Sequence, residues 1–345
     1  MNRLILHAKR LLAAWTDRPL RSGAVVGGRY RLDEPLGIGS YGLTYRATDL
    51  LSGRPAALKQ AKPSKGEAAR ELLRREAAML ERLDHPAIPR ALSLLEERGQ
   101  LYLASELAPG ETLEDLLFEH GRTFTETEAL RLVRSLADIV GHVHDRGCVH
   151  LDVRIPNVMF NGEFEAHTSA AQVGFASGDS EAHTSAAQVG FASGEFEAHT
   201  SAAQVGFASG EFEAHTSAAQ VGFASGERLS LIDFGLARRI GEPPLAAAPA
   251  SEDDRRNAPA EPASDLLDLG HLLLFLLYSS YVPEPGAPDR GWEDELEPAF
   301  DTRRLLRRLL GSKGPPLGGV PELLTELDRM LAARRAVQVR DDRHR

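Results

Sequence analysis

The chain has one cysteine, Cys148, in 345 residues, which excludes a disulfide framework and a thiolate metal centre and makes a reducing, cytoplasmic setting the expectation. It lacks the run of about 18 apolar residues that a membrane span requires. The nearest candidate, 266–277, is broken by Asp268 and His271 and reads as a buried core helix. Lysine is missing between Lys65 and Lys313, so any cation needed in that interval must be an arginine. Between 236 and 263 there is no Thr or Tyr, and Ser251 is the only hydroxyl side chain. The net charge of −10 argues against broad electrostatic binding to nucleic acid.

That charge is unevenly placed. Residues 163–226 are four tandem copies of a sixteen-residue unit, EFEAHTSAAQVGFASG, with Asp179-Ser180 replacing Glu-Phe in the second. Each copy holds two acids and no Lys or Arg, so the block carries −8 and the other 281 residues carry −2. His167, His183, His199 and His215 recur beside acids, but one imidazole per unit is a poor metal site. Val173 and Phe175 would suit a stacked β-arch, while the Ala, Ser and Gly content and the near-identity of the copies favour a flexible, dispensable duplication.

The N-terminal segment, 1–22, places Leu4, Ile5, Ala8, Leu11, Leu12 and Trp15 at helical spacing around Lys9-Arg10. No small-residue cleavage site follows, so it does not read as a secretory signal. Residues 1–15 could contact a membrane surface, but burial of the stripe on protein is the favoured reading. From 23 to 109 the pattern is strand-rich, with a helix over 67–83 and a strand pair around Arg98-Gly99. Helical periodicity then dominates over 113–119, 125–146, 264–278, 302–310 and 320–334, and 335–345 reads as a solvated basic tail. The implied organisation is α+β, a small β-rich lobe at 23–109 followed by a larger helical lobe at 110–162 and 227–334.

Gly37-Ile38-Gly39-Ser40-Tyr41-Gly42 has the form G-x-G-x-x-G, and Leu43-Thr44-Tyr45 continues it as strand. That context excludes the dinucleotide fingerprint, which must open a helix, and leaves a hairpin tip whose amides can approach phosphate oxygens. Lys59 closes Ala57-Leu58-Lys59 on the next strand, and Glu76 lies on the following helix as a carboxylate able to hold its flexible stem. Asp152 and Asn157, in HLDVRIPN, have the spacing of a loop in which a carboxylate receives a hydroxyl proton and an amide ligates a metal. His150 reads as a buried structural residue, and Arg154 is the cation at hand. Asp233 ends the apolar run LSLID and could hold Mg²⁺. With the repeats removed, Asn157 and Asp233 stand twelve residues apart on a hairpin with an Asn161-Gly162 turn, so the repeats interrupt a hairpin tip.

In order and spacing these residues resemble the catalytic core of the eukaryotic-like (Hanks-type) Ser/Thr protein kinases of bacteria, over about 30–310 apart from the repeats. GSYGLTY and HLDVRIPN resemble a small kinase-like subgroup in particular. The resemblance implies a two-lobed protein-kinase-like fold with the tandem repeats inserted in the second lobe's hairpin. It implies phosphoryl transfer from ATP with Mg²⁺ to Ser/Thr of a protein substrate. Gly37, Ile38, Gly39, Ser40, Gly42, Thr44, Ala57, Glu106 and Leu107 would contact nucleotide, with Lys59 anchoring phosphate and Glu76 as its partner. Asp152 would be the catalytic base, Arg154 the phosphate-bridging cation, Asn157 and Asp233 the metal ligands, and Asp265 a buried acid steadying the loop. Three departures stand out: Leu151 replaces an arginine, 236–263 has no Thr or Tyr, and Ala258-Pro259-Ala260-Glu261 lies too close to Asp265 to serve as an Ala-Pro-Glu platform. They keep two alternatives open, a small-molecule phosphotransferase and a nucleotide-binding pseudokinase scaffold.

Overall fold

A computed structural model describes residues 17–162, 228–244, 257, 259–282 and 291–342. The amphipathic segment 1–15, the four repeats and Ser251 lie outside the described residues.

Six strands form one antiparallel sheet: β1 (Val25–Val26), β2 (Tyr30–Ile38), β3 (Gly42–Asp49), β4 (Pro55–Ala61), β5 (Ala91–Glu97) and β6 (Gln100–Glu106), in the order β1-β2-β3-β4-β6-β5. Arg98 and Gly99 join β5 to β6 with φ of 50° and 75°, the paired left-handed residues of a tight hairpin turn. Alternation along β3 and β4 sends Leu43, Tyr45, Ala47, Ala56 and Leu58 into one core. The opposite face shows Thr44, Ala57 and Lys59, all half-buried. Helix α1 (Gly66–Leu80) follows β4 and buries Ala69, Leu73, Ala77 and Leu80 against Leu101 and Leu103. It ends three residues before the expected Leu83, which closes the last turn through its N–H to Leu80 O at 3.3 Å.

The second lobe contains β7 (Glu111–Thr112), α2 (Leu113–Phe118), α3 (Glu126–Asp145), β8 (Cys148–Val149), β9 (Val158–Asn161), β10 (Arg228–Leu231), β11 (Arg238–Arg239), α4 (Pro262–Tyr278), α5 (Trp292–Glu295), α6 (Phe300–Leu309) and α7 (Val320–Asp342). Thr112 with Asp115, and Thr125 with Glu128, form capping boxes that start α2 and α3. Most of the apolar run at 266–277 is buried within α4, packed against α3 and α6, with Leu267 left on the exposed side. At Gly270 a Cβ would stand 2.8 Å from that of Leu309, so glycine permits this approach of α6. β9 and β10 pair from Val158 opposite Leu231 to Asn161 opposite Arg228, closing the expected hairpin across the site of the repeats.

The last helix departs from expectation. It runs on to Asp342 instead of ending at 334, and Arg334 is held by Glu126 at 2.6 Å and Asp301 at 3.1 Å. Apolar periodicity fades after Leu331, but Ala332, Ala333, Arg334, Arg335 and Ala336 are strong helix formers and carry the helix past the core. Among the described residues no helix is long and apolar enough to cross a membrane.

Candidate active site

The glycine-rich tip joins β2 to β3, and Gly39 N donates to Gly42 O at 2.9 Å. A Cβ on Gly42 would lie 3.2 Å from Lys59 Cε and 3.3 Å from Gln60 O, so the strand's own packing over Lys59 asks for glycine. At Gly37 a Cβ would meet nothing within 4 Å, and at Gly39 only the Gly42 carbonyl at 3.8 Å. Internal packing does not account for those two, and the space they leave is open to an incoming group. Ile38 and Ser40 are exposed beside them. Thr44 stands opposite both Gly37 and Lys59, so one face of the sheet carries Thr44, Lys59 and Ala57 under the tip.

Lys59 gathers two acids from distant parts of the chain. Its Nζ donates to Glu76 Oε2 at 2.7 Å and to Asp233 Oδ1 at 2.8 Å. Glu76 is buried, whereas the Asp233 side chain, though held by Lys59, keeps 43% of its surface exposed. Burial alone would lower the Lys59 ammonium, but the charges of Asp233 and Glu76 outweigh it and hold its pKa above the ordinary value. Burial pushes Glu76 up, with Lys59 opposing. At Asp233 burial pulls upward too, but the Lys59 charge wins and the carboxylate titrates below its usual range. Asp233 takes a left-handed φ of 61°, stabilised by Gly235 N donating to its Oδ1 at 3.2 Å. A Cβ on Gly235 would come within 3.1 Å of that oxygen.

The segment after β8 supplies the second half of the site. His150 is fully buried, as expected, with its ring 4.5 Å from that of Phe234 and Nε2 3.2 Å from Ile232 O. Its Nδ1 accepts from Asp152 N at 3.2 Å. Arg154 lays a two-toothed fork on Asp152, with Nε to Oδ1 at 2.5 Å and Nη2 to Oδ2 at 3.0 Å. Asn157 donates Nδ2 to Asp152 O at 2.9 Å and to Oδ2 at 2.7 Å, so its Oδ1 is the end left for a ligand. Ile232 N donates to Asn157 O at 2.9 Å, which sets Asn157 beside Asp233 on the β9–β10 hairpin. Asn157 and Asp233 thus offer hard oxygen donors, the ligand chemistry of a small divalent cation. Among the described residues no cluster of three or more His, Cys, Asp and Glu forms a closed metal cage, so such an ion would share its shell with phosphate and water.

Two acids on one face of α4 set this loop. Asp265 accepts from His150 N at 2.9 Å and Leu151 N at 2.7 Å, and it meets His144 Nε2 at 2.8 Å. Asp268, one turn on, accepts from Val153 N at 3.0 Å. Asp268 and His144 were not anticipated as site residues. The available signal was a second acid three residues after Asp265 in an otherwise apolar helix. Glu106 ends β6 and Leu107 follows it; Glu106 stands opposite Ala56 and its N–H donates to Arg90 O at 2.9 Å. The structure thus joins Lys59 to Glu76 and Asp233, joins Arg154 and Asn157 to Asp152, and aligns Gly37, Thr44 and Lys59 across neighbouring strands.

Comparison with known proteins points the same way. The protein kinase domain family matches residues 30–188. The chain is 30% identical over 297 residues to the probable serine/threonine-protein kinase YbdM of Bacillus subtilis, covering 86% of this chain and 87% of that protein. Serine/threonine-protein kinase B of Synechocystis sp. is 32% identical over 142 residues, 39% of this chain and 25% of the longer relative. Among solved structures, the PknI kinase domain of Mycobacterium tuberculosis superposes with a TM-score of 0.55 at 19% identity, covering 90% of this chain and 99% of that one, a likeness of fold.

Proposed function

The chain belongs to the serine/threonine protein kinase family, which transfers phosphoryl groups from ATP to protein hydroxyls, and we propose that Asp152, Lys59, Glu76, Asn157 and Asp233 carry that chemistry here. The observation behind this reading is the meeting of Lys59, Glu76 and Asp233 within 2.8 Å, next to a hairpin that sets Asn157 beside Asp233.

In this reading the tip amides at Gly37, Ser40 and Gly42 receive phosphate oxygens, and Lys59, kept charged by its two acids, anchors them. Adenine takes backbone hydrogen bonds at Glu106 and Leu107 against Ala57. Asp152 accepts the proton of the acceptor hydroxyl as its oxygen bonds to the γ-phosphorus. The bond from that phosphorus to the β–γ bridging oxygen breaks, and ADP leaves. Arg154 moves its fork from Asp152 to the transferring phosphate, freeing the carboxylate as it neutralises charge. Asn157 and Asp233 would hold Mg²⁺, which when bound offsets charge on the phosphate oxygens. Little covalent work falls to the protein, so positioning and electrostatics supply most of the rate. The working unit is the lobe at 23–109 with the lobe at 110–162 and 227–334.

The test is phosphoamino-acid analysis of an acceptor protein incubated with labelled ATP, with and without Mg²⁺. Label on Ser and Thr that disappears with EDTA and in Asp233→Asn supports the assignment. Undiminished label in Asp233→Asn contradicts it.

A further inference from the structure

Whether Lys59 meets Glu76 depends on where α1 sits, and the residue before Glu76 ties that helix down. Arg75 Nη1 donates to Glu242 Oε1 at 2.8 Å. Glu242 closes a tight turn from Arg239, in which Glu242 N donates to Arg239 O at 3.0 Å and Gly241 has a φ of 79°. Positive φ at the third position is the mark of a type II turn. Arg239 N donates back to Glu242 Oε2 at 3.1 Å. One carboxylate thus uses one oxygen to lock its own turn and the other to hold α1.

The turn is itself fixed. β11 pairs with β8, Ile240 N donates to Gly147 O at 2.9 Å, and Gly241 N donates to Ala260 O at 2.8 Å. The turn that carries Glu242 is therefore pinned to β8, the strand that leads into His150 and Asp152. Two further features converge on this point. Leu151 is 2% exposed and packs with Val149, Ala260 and Leu236, so an apolar plug fills a place where a cation could have met a phosphate. Between 236 and 263 the sequence has Ser251 as its only hydroxyl side chain.

We propose that Glu242 is a built-in anionic clasp that pairs with Arg75 to hold α1, and with it Glu76 against Lys59, without phosphorylation of the segment after Asp233. The proposal rests on the kinase reading of the site. Arg75 and Glu242 are positioning residues that act through Glu76. Their side chains are 34% and 30% exposed, so the clasp biases α1 and its loss weakens turnover without abolishing it.

The experiment uses the full chain with dephosphorylated casein as acceptor and measures ADP formation together with amide exchange across residues 66–80. Arg75→Glu and Glu242→Arg are each expected to lower kcat by roughly tenfold, more than they change KM for ATP, and to speed exchange along α1. The double reversal raises kcat above either single variant, since opposite charges again face each other, but stays short of wild type because a guanidinium at 242 cannot accept from Arg239 N. Ser251→Ala keeps wild-type kcat. Arg75→Ala and Glu242→Gln serve if a reversal fails to fold, with a smaller loss of the same kind. The clasp is overturned by single variants with unchanged kcat and exchange, by a double reversal no better than the singles, or by a tenfold loss in Ser251→Ala. Equal ADP formation by wild type and Asp152→Asn would instead remove the kinase reading, while the exchange measurement would still report on the clasp.

Discussion

The backbone N–H of Leu151 donates to Asp265 Oδ1 at 2.7 Å, and Leu151 does so from a left-handed φ of 66°. A branched side chain holds that conformation only where its surroundings impose it, at a cost of about 1–3 kcal/mol. Here a buried acid on α4 shapes the loop that carries Asp152.

Asp265→Ala strips the partner from two backbone N–H groups and lets Leu151 relax. We expect a loss of roughly 2–4 kcal/mol in stability by denaturant titration, with kcat falling further than in Asp265→Asn, which keeps one acceptor oxygen. Wild-type stability in the alanine variant contradicts this role.

Glu76→Gln removes a buried negative charge from Lys59 and leaves Asp233 as its anionic partner. A charge-assisted hydrogen bond of this kind contributes about 1.5–3 kcal/mol, so kcat/KM should fall roughly 10- to 100-fold in steady-state assays. Retention of full activity would show that the pair is ornamental.

The β9–β10 register closes from Val158 opposite Leu231 to Asn161 opposite Arg228 on either side of the repeats. Joining Gly162 directly to Glu227 should therefore rebuild a short hairpin. The shortened chain is expected to melt within a few degrees of the full one and to keep activity within about threefold. Collapse of phosphoryl transfer would mean that the repeats take part in the reaction.

Three histidines share one direction of shift. Burial holds the fully buried His150 below the ordinary value of 6.5, against the opposing charges of Asp265 and Asp152. Burial also lowers His85 and His142, whose rings lie 4.9 Å apart. Because the folded values are depressed, the unfolded chain takes up protons first on acidification. This contribution is fully present above about pH 6.5 and is lost as pH falls further, at up to roughly 1.4 kcal/mol per pH unit for each group. Melting temperatures from about pH 8 to 5 should be level and then fall, with a gentler fall in His142→Asn. A rise on acidification contradicts the sign.

The parts of the site that were legible in the sequence are those written in local pattern. The glycine tip, Lys59 on its strand, the Asp152–Asn157 spacing and the Asn161-Gly162 turn each follow from short-range periodicity or turn chemistry. Contacts made by side chains on distant backbone left little trace. Asp268 read as an interruption of an apolar helix, although its carboxylate caps Val153 N. Arg75 and Glu242 are 167 residues apart and carry no shared pattern. The extent of α7 was missed for a different reason: the apolar stripe ends with the core, while helix propensity does not.

The most direct test of the account is the transfer of label from ATP to protein by wild type beside Asp152→Asn, under single-turnover conditions with both proteins shown to fold and to bind MgATP by thermal shift. The account predicts phosphoserine and phosphothreonine with wild type and a loss of about a hundredfold or more in the variant, the scale of a general base. Equal transfer by the two proteins would contradict it.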